Sequence, residues 1–166
     1  PIFQCQVRIR RDDGSFAGPG EAGEIVVRGH NVMKGYYRKP EETARALRDG
    51  WMHTGDLGRF DANGYLYITG LKKDLIIRAG MNIYPREIEE VLLRHPDIHE
   101  VAVVGIPEKV RGEEVCAYLT STSPYRPDEK ALRAFCLEHL APFKCPRHFV
   151  YRDVLPRLSS GKINKT

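Results

Sequence analysis

The chain has 166 residues, of which 42% are hydrophobic and 29% charged, and its net charge is +4. This length suits one ordinary domain or two small ones, and the composition is typical of a globular protein rather than a disordered or membrane-spanning one. The longest apolar runs, such as residues 101–104, are far too short to cross a bilayer. Charges alternate in sign and no aromatic–basic platform is visible, which disfavours a nucleic-acid binder.

The cysteines and histidines indicate no metal site. Cys5, Cys116, Cys136 and Cys145 lie far apart, without the paired spacing of zinc or redox motifs, and the six histidines show no ligand spacing. Three of these cysteines lie in apolar runs, so we expect buried thiols and a reducing, cytoplasmic setting. The chain begins at Pro1 with no leader or initiator methionine, so we expect a segment of a longer polypeptide.

The chain up to residue 70 shows short strands separated by turn-forming residues. Residues 5–10 alternate as a strand does, residues 24–28 predict a short Ile-Val-Val strand, and Asn63-Gly64 predicts the tip of a further hairpin. Pro40 begins one short helix. This region is therefore predicted to be mostly antiparallel β, with a thin core that suits a piece of a larger body.

A Thr54-Gly55-Asp56 triplet lies between two of these strands. One carboxylate at a strand end can accept hydrogen bonds from two vicinal hydroxyl groups, such as those of a ribose. Local capping of a turn is the alternative explanation for the same residues.

A connector follows, running from residue 69 to residue 90. The charged joint Lys72-Lys73-Asp74 is followed by an apolar triplet and by a predicted loop at residues 78–82. Ala79 and Gly80 are small, so the backbone could approach a ligand closely there, although a tight turn explains them equally well. The connector is thus either an ordinary linker or a functional hinge.

The remainder of the chain predicts a small sheet with helices against one face. Helices are expected at residues 85–94 and 128–140, the second capped by Asp128. Strands are expected at residues 98–106, 114–120 and 149–151. The order helix, strand, strand, helix, strand is typical of an α+β fold.

Residues 155–163 form a predicted glycine–serine loop that carries Lys162. A lysine ammonium group suits a phosphate or a developing negative charge, although most loop lysines are only solvated surface. The glycine spacing of a P-loop is missing.

Together these motifs resemble the C-terminal portion of the acyl- and aryl-CoA synthetases, members of the adenylate-forming, AMP-binding enzyme superfamily. Residues 51–57 resemble its Thr-Gly-Asp motif, residues 69–89 its hinge and following loop, and residues 156–163 its terminal Pro-Lys-x-x-Ser-Gly-Lys-Ile motif. The resemblance covers nearly the whole chain. It implies a mostly antiparallel β remnant of a large N-terminal domain at 1–72, followed by a small α+β lid domain at 73–166.

The resemblance also implies a reaction in two steps. In that family a carboxylic acid and ATP with Mg²⁺ form an acyl-adenylate, and the thiol of CoA then displaces AMP to give a thioester. The chain would be a fragment of such an enzyme for a fatty or aryl acid. It would be inactive alone, because the phosphate-binding loop, the acyl pocket and most contacts to ATP and Mg²⁺ would lie upstream.

Carried over to this sequence, the family's site residues fall on several segments. Asp56 would bind the ribose hydroxyls, and Lys162 would stabilise the carboxylate and α-phosphate. The resemblance implies that Lys73 and Asp74 lie at the hinge. It also implies that Ala79 and Gly80 line the path of the pantetheine arm.

Three positions depart from the family pattern. Leu71 stands where the family has a nucleotide-contacting arginine, so either Lys72 replaces it in part or adenylation is weaker. Met81 stands in place of a common glutamate, and Arg157 in place of a common lysine.

Two other functions remain open on the sequence. The acyl group could pass to a carrier protein's phosphopantetheine, or the chain could be a degenerate, non-catalytic lid that binds proteins. Leu71 favours the degenerate lid and Lys162 argues against it. Neither the acid nor the oligomeric state can be read from these residues.

Overall fold

A computed structural model describes residues 3–165. The described chain divides into two compact units, with the boundary between Lys73 and Asp74. We call them the first unit and the second unit. Residues 1, 2 and 166, at the outer ends of the predicted domains, lie outside the described residues. Among the described residues, no helix is long and apolar enough to span a membrane.

The described part of the first unit contains a five-stranded antiparallel sheet. Its strands are β1 (Gln6–Arg10), β2 (Gly23–Arg28), β3 (Leu47–Arg48), β4 (Trp51–Phe60) and β5 (Leu66–Leu71). The long strand β4 is central: β2 pairs along one edge, and β3 and β5 pair with different ends of the other edge. The sheet therefore positions the ends of β4 and β5 side by side.

Local signals explain the turns and the helix of the first unit. Helix α1 (Pro40–Ala46) has a proline in its first turn, as predicted. At the predicted Asn63-Gly64 hairpin, the Asp61 carboxylate accepts hydrogen bonds from the Asn63 and Tyr65 amides at 2.9 and 2.8 Å. Gly64 supplies a φ of +84°. The hairpin prediction is confirmed.

The core of the first unit is thin. Its buried hydrophobic side chains are Ile9, Ile25, Val26, Trp51 and Leu57. Strand β5, by contrast, leaves Leu66, Tyr67 and Ile68 exposed. Large apolar side chains on one strand are ordinarily covered in a finished domain, so this unit has the surface of a partial structure.

The sheet of the second unit contains five strands within the described residues. They are β6 (Ile76–Arg78), β7 (Met81–Ile83), β8 (Ile98–Glu108), β9 (Gly112–Ser121) and β10 (His148–Tyr151). Strand β9 is central, with β8 antiparallel on one edge and β10 parallel on the other. The short β6–β7 hairpin joins the sheet where Arg78 pairs with Gly112.

Two helices pack on one face of this sheet. Helix α2 (Pro85–Leu92) begins at a proline and buries Ile88, Val91 and Leu92. Helix α3 (Glu129–His139) is capped as predicted, because the Asp128 carboxylate accepts a hydrogen bond from the Ala131 amide at 2.7 Å.

The core of the second unit lies between the helices and alternate residues of β8 and β9. The sheet residues include Val101 and Val103, which pair with Leu119 and Ala117. The helices contribute apolar side chains to the same cluster, among them Ile88, Leu92, Leu132 and Cys136. The predicted α+β architecture, with helices against one face, is confirmed.

The opposite face of the sheet is covered by residues 155–165, which we call the tail. Ala102, Val104 and Tyr118 line a cavity of about 410 Å³ on this face, together with residues of the tail. Leu155 is buried at the start of the tail. The sheet is therefore covered on both faces.

The prediction of a loop at residues 78–82 is wrong. Strands β6 and β7 pair from Ile76–Ile83 to Arg78–Met81, which leaves Ala79 and Gly80 as a two-residue turn. Both have positive φ, +49° and +78°, as a type I′ hairpin turn requires. The turn was hidden in the sequence because alanine occupies a position that usually selects asparagine, aspartate or glycine.

The four cysteines are free thiols, and Cys116, Cys136 and Cys145 are buried as predicted. Cys136 and Cys145 contact each other in the core of the second unit. A hydrogen bond between the two thiols lowers the pKa of Cys145 to about 7 and raises that of Cys136.

Candidate functional site

The Thr-Gly-Asp triplet lies within β4, where the backbone is locally irregular. Gly55 has a φ of +77°, a conformation that glycine adopts without strain. The Thr54 hydroxyl donates to the Ile25 carbonyl at 2.8 Å and accepts from the Asp56 amide at 3.0 Å. The backbone of Asp56 is thereby fixed, and its side chain is half-buried.

A buried carboxylate holds this turn from β2. Glu24 is 7% exposed, and its Oε1 accepts from the Gly55 amide at 3.3 Å. Its Oε2 lies 2.9 Å from His53 Nδ1 and 3.1 Å from Lys72 Nζ. Burial raises the pKa of Glu24, but the hydrogen bonds from His53 and Lys72 outweigh burial and leave the pKa below its ordinary value. Glu24 therefore stays ionised and joins β2, β4 and the end of β5.

Leu71 is the cross-strand partner of Asp56. The residue that replaces the family's arginine thus lies beside the aspartate predicted to bind ribose. An open depression lies next to this pair and is lined by Thr54, Gly55, Leu71, Lys72 and Lys73.

Lys72 is already occupied by carboxylates. Its Nζ lies 3.1 Å from Glu24 and 3.3 Å from Asp12. Burial lowers the pKa of Lys72, but these two partners more than compensate and raise it above its ordinary value. This geometry disfavours the interpretation that Lys72 replaces the arginine.

The predicted hinge residues lie at the junction of the units. Residues Lys72–Asp74 form one short 3₁₀ turn. The unit boundary falls within it, between Lys73 and Asp74. The hinge function of these two residues stays a prediction.

Ala79 and Gly80 lie together at the exposed tip of the β6–β7 hairpin. The Ala79 amide donates to the Arg111 carbonyl at 2.8 Å, which ties the tip to the turn between β8 and β9. Nothing lies within 4 Å of the place where a Cβ on Gly80 would be. The tip therefore presents bare backbone to its surroundings.

Lys162 lies in a hydrogen-bonded hairpin rather than an open loop. The Leu158 amide donates to the Lys162 carbonyl and the Gly161 amide to the Leu158 carbonyl, at 2.8 and 2.9 Å. Beyond the lysine, the Asn164 amide donates to the Pro156 carbonyl at 2.8 Å. The tip is thus shaped by main-chain hydrogen bonds on both sides of Lys162.

Two ion pairs fasten this hairpin to the second unit. Arg157 pairs with Glu100 on β8 and donates to the Gly161 carbonyl at 2.7 Å. Lys165 pairs with Glu89 on α2 at 2.6 Å. Lys162 is exposed, and within residues 3–165 its side chain has no hydrogen bond or ion pair.

The predicted site residues therefore fall into separate places. Asp56 belongs to the first unit, whereas Ala79, Gly80 and Lys162 belong to the second.

Sequence reasoning missed the carboxylates that hold these segments. Glu24 and Glu114 are both buried at or near the start of apolar strands. A glutamate directly before an apolar strand was the available signal, because a buried charge requires a partner.

Comparison with known proteins identifies the second unit. Residues 87–162 match the family described as the AMP-binding enzyme C-terminal domain. The second unit belongs to this family of AMP-binding enzyme C-terminal domains. Lys162 is the last residue of the match, and the β6–β7 hairpin precedes its start.

Relatives extend the similarity over both units of the chain. A long-chain-fatty-acid–CoA ligase of Bacillus subtilis is 49% identical over 152 residues, which are 92% of this chain and 27% of the relative.

Solved structures agree with that similarity. The o-succinylbenzoate CoA synthetase of Bacillus subtilis, solved with an acyl-adenylate intermediate, is 42% identical with a TM-score of 0.89, covering 98% of this chain and 33% of its own. A second structure of that synthetase contains ATP and a magnesium ion. An amide bond synthetase from Marinactinospora thermotolerans is 40% identical with a TM-score of 0.90, covering 99% of this chain and 34% of its own. The chain thus spans about a third of the length of the proteins it matches.

Proposed function

We propose that the full-length protein is an acid–thiol ligase that activates a carboxylic acid as its acyl-adenylate and transfers the acyl group to CoA. The second unit would be its mobile lid, and the first unit would contribute to the nucleotide site. The fatty-acid–CoA ligase and the o-succinylbenzoate CoA synthetase among the relatives support this reaction class and a fatty or aryl acid. The four free thiols support a cytoplasmic location.

The observation that carries the proposal is that the Lys162 ammonium group has no charged partner among residues 3–165, unlike the nearby cations of the tail. Arg157 and Lys165 in the same tail are each paired with a carboxylate. Lys162 lies between them on a built hairpin and has no such partner within the described residues. A lysine fixed in backbone position but with a free ammonium group is suited to bind negative charge supplied by a ligand.

In the first half-reaction, a carboxylate oxygen of the acid attacks the α-phosphorus of ATP and pyrophosphate leaves. Lys162 would stabilise the charge on the carboxylate and the α-phosphate as the new bond forms. Asp56 would accept hydrogen bonds from the two ribose hydroxyls and so orient the nucleotide. Glu24 would keep Asp56 in place through Gly55.

In the second half-reaction, the sulfur of CoA attacks the acyl carbon and AMP leaves. We propose that rotation about Lys73 and Asp74 exchanges the Lys162 hairpin for the β6–β7 hairpin at the reaction centre. The bare backbone at Ala79 and Gly80 would then line the path of the pantetheine arm.

Residues 3–165 supply no cluster of three protein ligands for the magnesium ion implied by the family. Within the described residues, no group of three or more His, Cys, Asp or Glu side chains could hold a metal ion. We therefore assign no step to magnesium through these residues. We expect the isolated 166-residue chain to form no thioester, because it spans only about a third of the length of the proteins it matches.

The proposal is tested by replacing Lys162 with alanine in the full-length enzyme. ATP–pyrophosphate exchange, measured with hexadecanoic acid and with 2-succinylbenzoate, should fall by about 10²- to 10³-fold. Lys130→Ala, which removes an exposed lysine on α3, is the matched control and should leave exchange unchanged. Unchanged exchange in Lys162→Ala would instead support a degenerate lid that binds proteins and takes no part in adenylation.

The acceptor is the part of the reaction least specified by similarity. The amide bond synthetase is as similar in fold as the CoA synthetase, so an amine is a second candidate acceptor. A carrier protein's phosphopantetheine is a third. Single-turnover transfer from the acyl-adenylate to CoA, a carrier protein or a simple amine distinguishes them, and faster transfer to either alternative would contradict CoA as the acceptor.

A further inference from the structure

Two adjacent carboxylates near the start of β9, Glu113 and Glu114, hold the end of β6. Each contacts β6, directly before the Ala79-Gly80 turn.

Glu114 is the more deeply buried of the pair, with 1% of its surface exposed. Its Oε1 lies 2.9 Å from Arg78 Nε, and its Oε2 lies 3.5 and 3.8 Å from Arg111 and Arg147. Arg78 also donates through Nη1 to the Phe143 carbonyl at 2.8 Å. A buried carboxylate and a guanidinium group in this arrangement hold each other in one geometry.

Glu113 holds the residue of β6 next to Arg78. Its Oε2 accepts the Ile77 amide at 2.6 Å. Gly105 makes room for it, because a Cβ at that position would lie 2.7 Å from Glu113 Oε1. Two successive residues of β6 are thus bound by two successive residues of β9.

These contacts determine where the hairpin tip lies. Arg78 pairs with Met81 across the turn, so the position of Arg78 determines where the Ala79-Gly80 turn begins. The Ala79 amide is bound to the carbonyl of Arg111, and Arg111 also approaches Glu114. Loss of the Glu114 charge would loosen both attachments together.

We propose that Glu114, acting through Arg78, is a positioning residue for the thiol-transfer half-reaction. It contacts no substrate; it sets the place of the Ala79-Gly80 backbone along the pantetheine path. This role rests on the proposed function. The Lys162 hairpin is held by different partners, Glu100 and Glu89, so adenylation does not depend on Glu114.

The test is Glu114→Gln in the full-length enzyme. A glutamine keeps an oxygen for Arg78, but its amide NH₂ is a donor facing the donors of Arg111 and Arg147. The assay uses hexadecanoic acid or 2-succinylbenzoate, whichever the wild type activates faster. The rate of acyl transfer from the acyl-adenylate to CoA should fall about tenfold or more. The rate of ATP–pyrophosphate exchange should stay within about twofold of the wild-type rate, since displacement of the β6–β7 hairpin affects only the arrangement used for thiol transfer.

A second variant protects the test against loss of folding. Arg78→Lys keeps a cation for Glu114 but lacks the fork that also reaches the Phe143 carbonyl. It should lower thiol transfer selectively by about three- to tenfold. Glu90→Gln, which removes an exposed carboxylate on α2, is the matched control and should change neither half-reaction.

The outcomes separate this role from the proposed function. Equal loss of both half-reactions in Glu114→Gln and Arg78→Lys, or no loss in either, would overturn the positioning role while wild-type activity upholds the ligase. A wild-type enzyme that forms no acyl-adenylate with either acid would overturn the ligase and this role with it.

Discussion

The two units differ in how completely each one buries its own apolar side chains. In the second unit, two helices and a sheet enclose a continuous cluster that includes Ile88, Leu119 and Leu132. In the first unit, a sheet of similar strand number leaves much of β5 exposed. The second unit has the buried core of an independent domain. The first unit has an exposed apolar strand that we expect another part of the protein to cover.

The largest expected effect that sharpens this difference is the loss of a core side chain. Leu132 is fully buried, so Leu132→Ala should lower the free energy of unfolding of the second unit by about 2–5 kcal/mol. Ile68 on β5 is 54% exposed, and Ile68→Ala should change the stability of the same 166-residue chain by less than about 0.5 kcal/mol. Chemical denaturation of the chain measures both.

The same pair of variants in the full-length protein tests the reason for the difference. If β5 is covered there, Ile68→Ala should become distinctly destabilising while the effect of Leu132→Ala stays unchanged. An Ile68→Ala cost that is equally small in both proteins would contradict the view that the first unit is a partial structure.

A smaller effect is expected at the nucleotide side of the first unit. Leu71→Arg restores a guanidinium group opposite Asp56, and one charged hydrogen bond to the nucleotide should raise the adenylation rate about tenfold in the full-length enzyme. ATP–pyrophosphate exchange measures this gain, with Leu71→Met as the control for side-chain length. An unchanged rate would show that the missing arginine does not limit adenylation.

The smallest effect is expected at the tip of the β6–β7 hairpin in the second unit. Ala79 has a φ of +49°, which costs a non-glycine residue about 1–2 kcal/mol. Glycine avoids that cost but loses more entropy on folding, so Ala79→Gly should stabilise the second unit by about 0.5 kcal/mol. Thermal unfolding measures the change, and a lower melting temperature would contradict it.

Much of the fold could be predicted because its signals are local. The Asp128 cap of α3, the proline at the start of α2 and the Asn63-Gly64 hairpin depend on residues within one or two turns of each other. The α+β order of the second unit followed from the same local periodicity. The hairpin at Ala79-Gly80 escaped because tertiary contacts, not a favourable turn residue, impose its backbone.

The supports of the candidate site could not be predicted, because they join residues that are distant in sequence. Glu24 and Lys72 are separated by 48 positions, Glu100 and Arg157 by 57, and Arg78 and Phe143 by 65. The motifs predict which side chains act on a ligand, whereas only the fold reveals which side chains hold them in place.

The hydrogen bond between the Asn164 amide and the Pro156 carbonyl has a consequence for biosynthesis. The lysine at position 162 leaves the ribosome before the residues that close its hairpin, and Lys165 reaches Glu89 later still. The hairpin can dock only on a sheet that already contains β8 and β9, because it lines a cavity together with residues of those two strands. A nascent chain therefore acquires its lysine-bearing hairpin as a late event, after the rest of the second unit has folded.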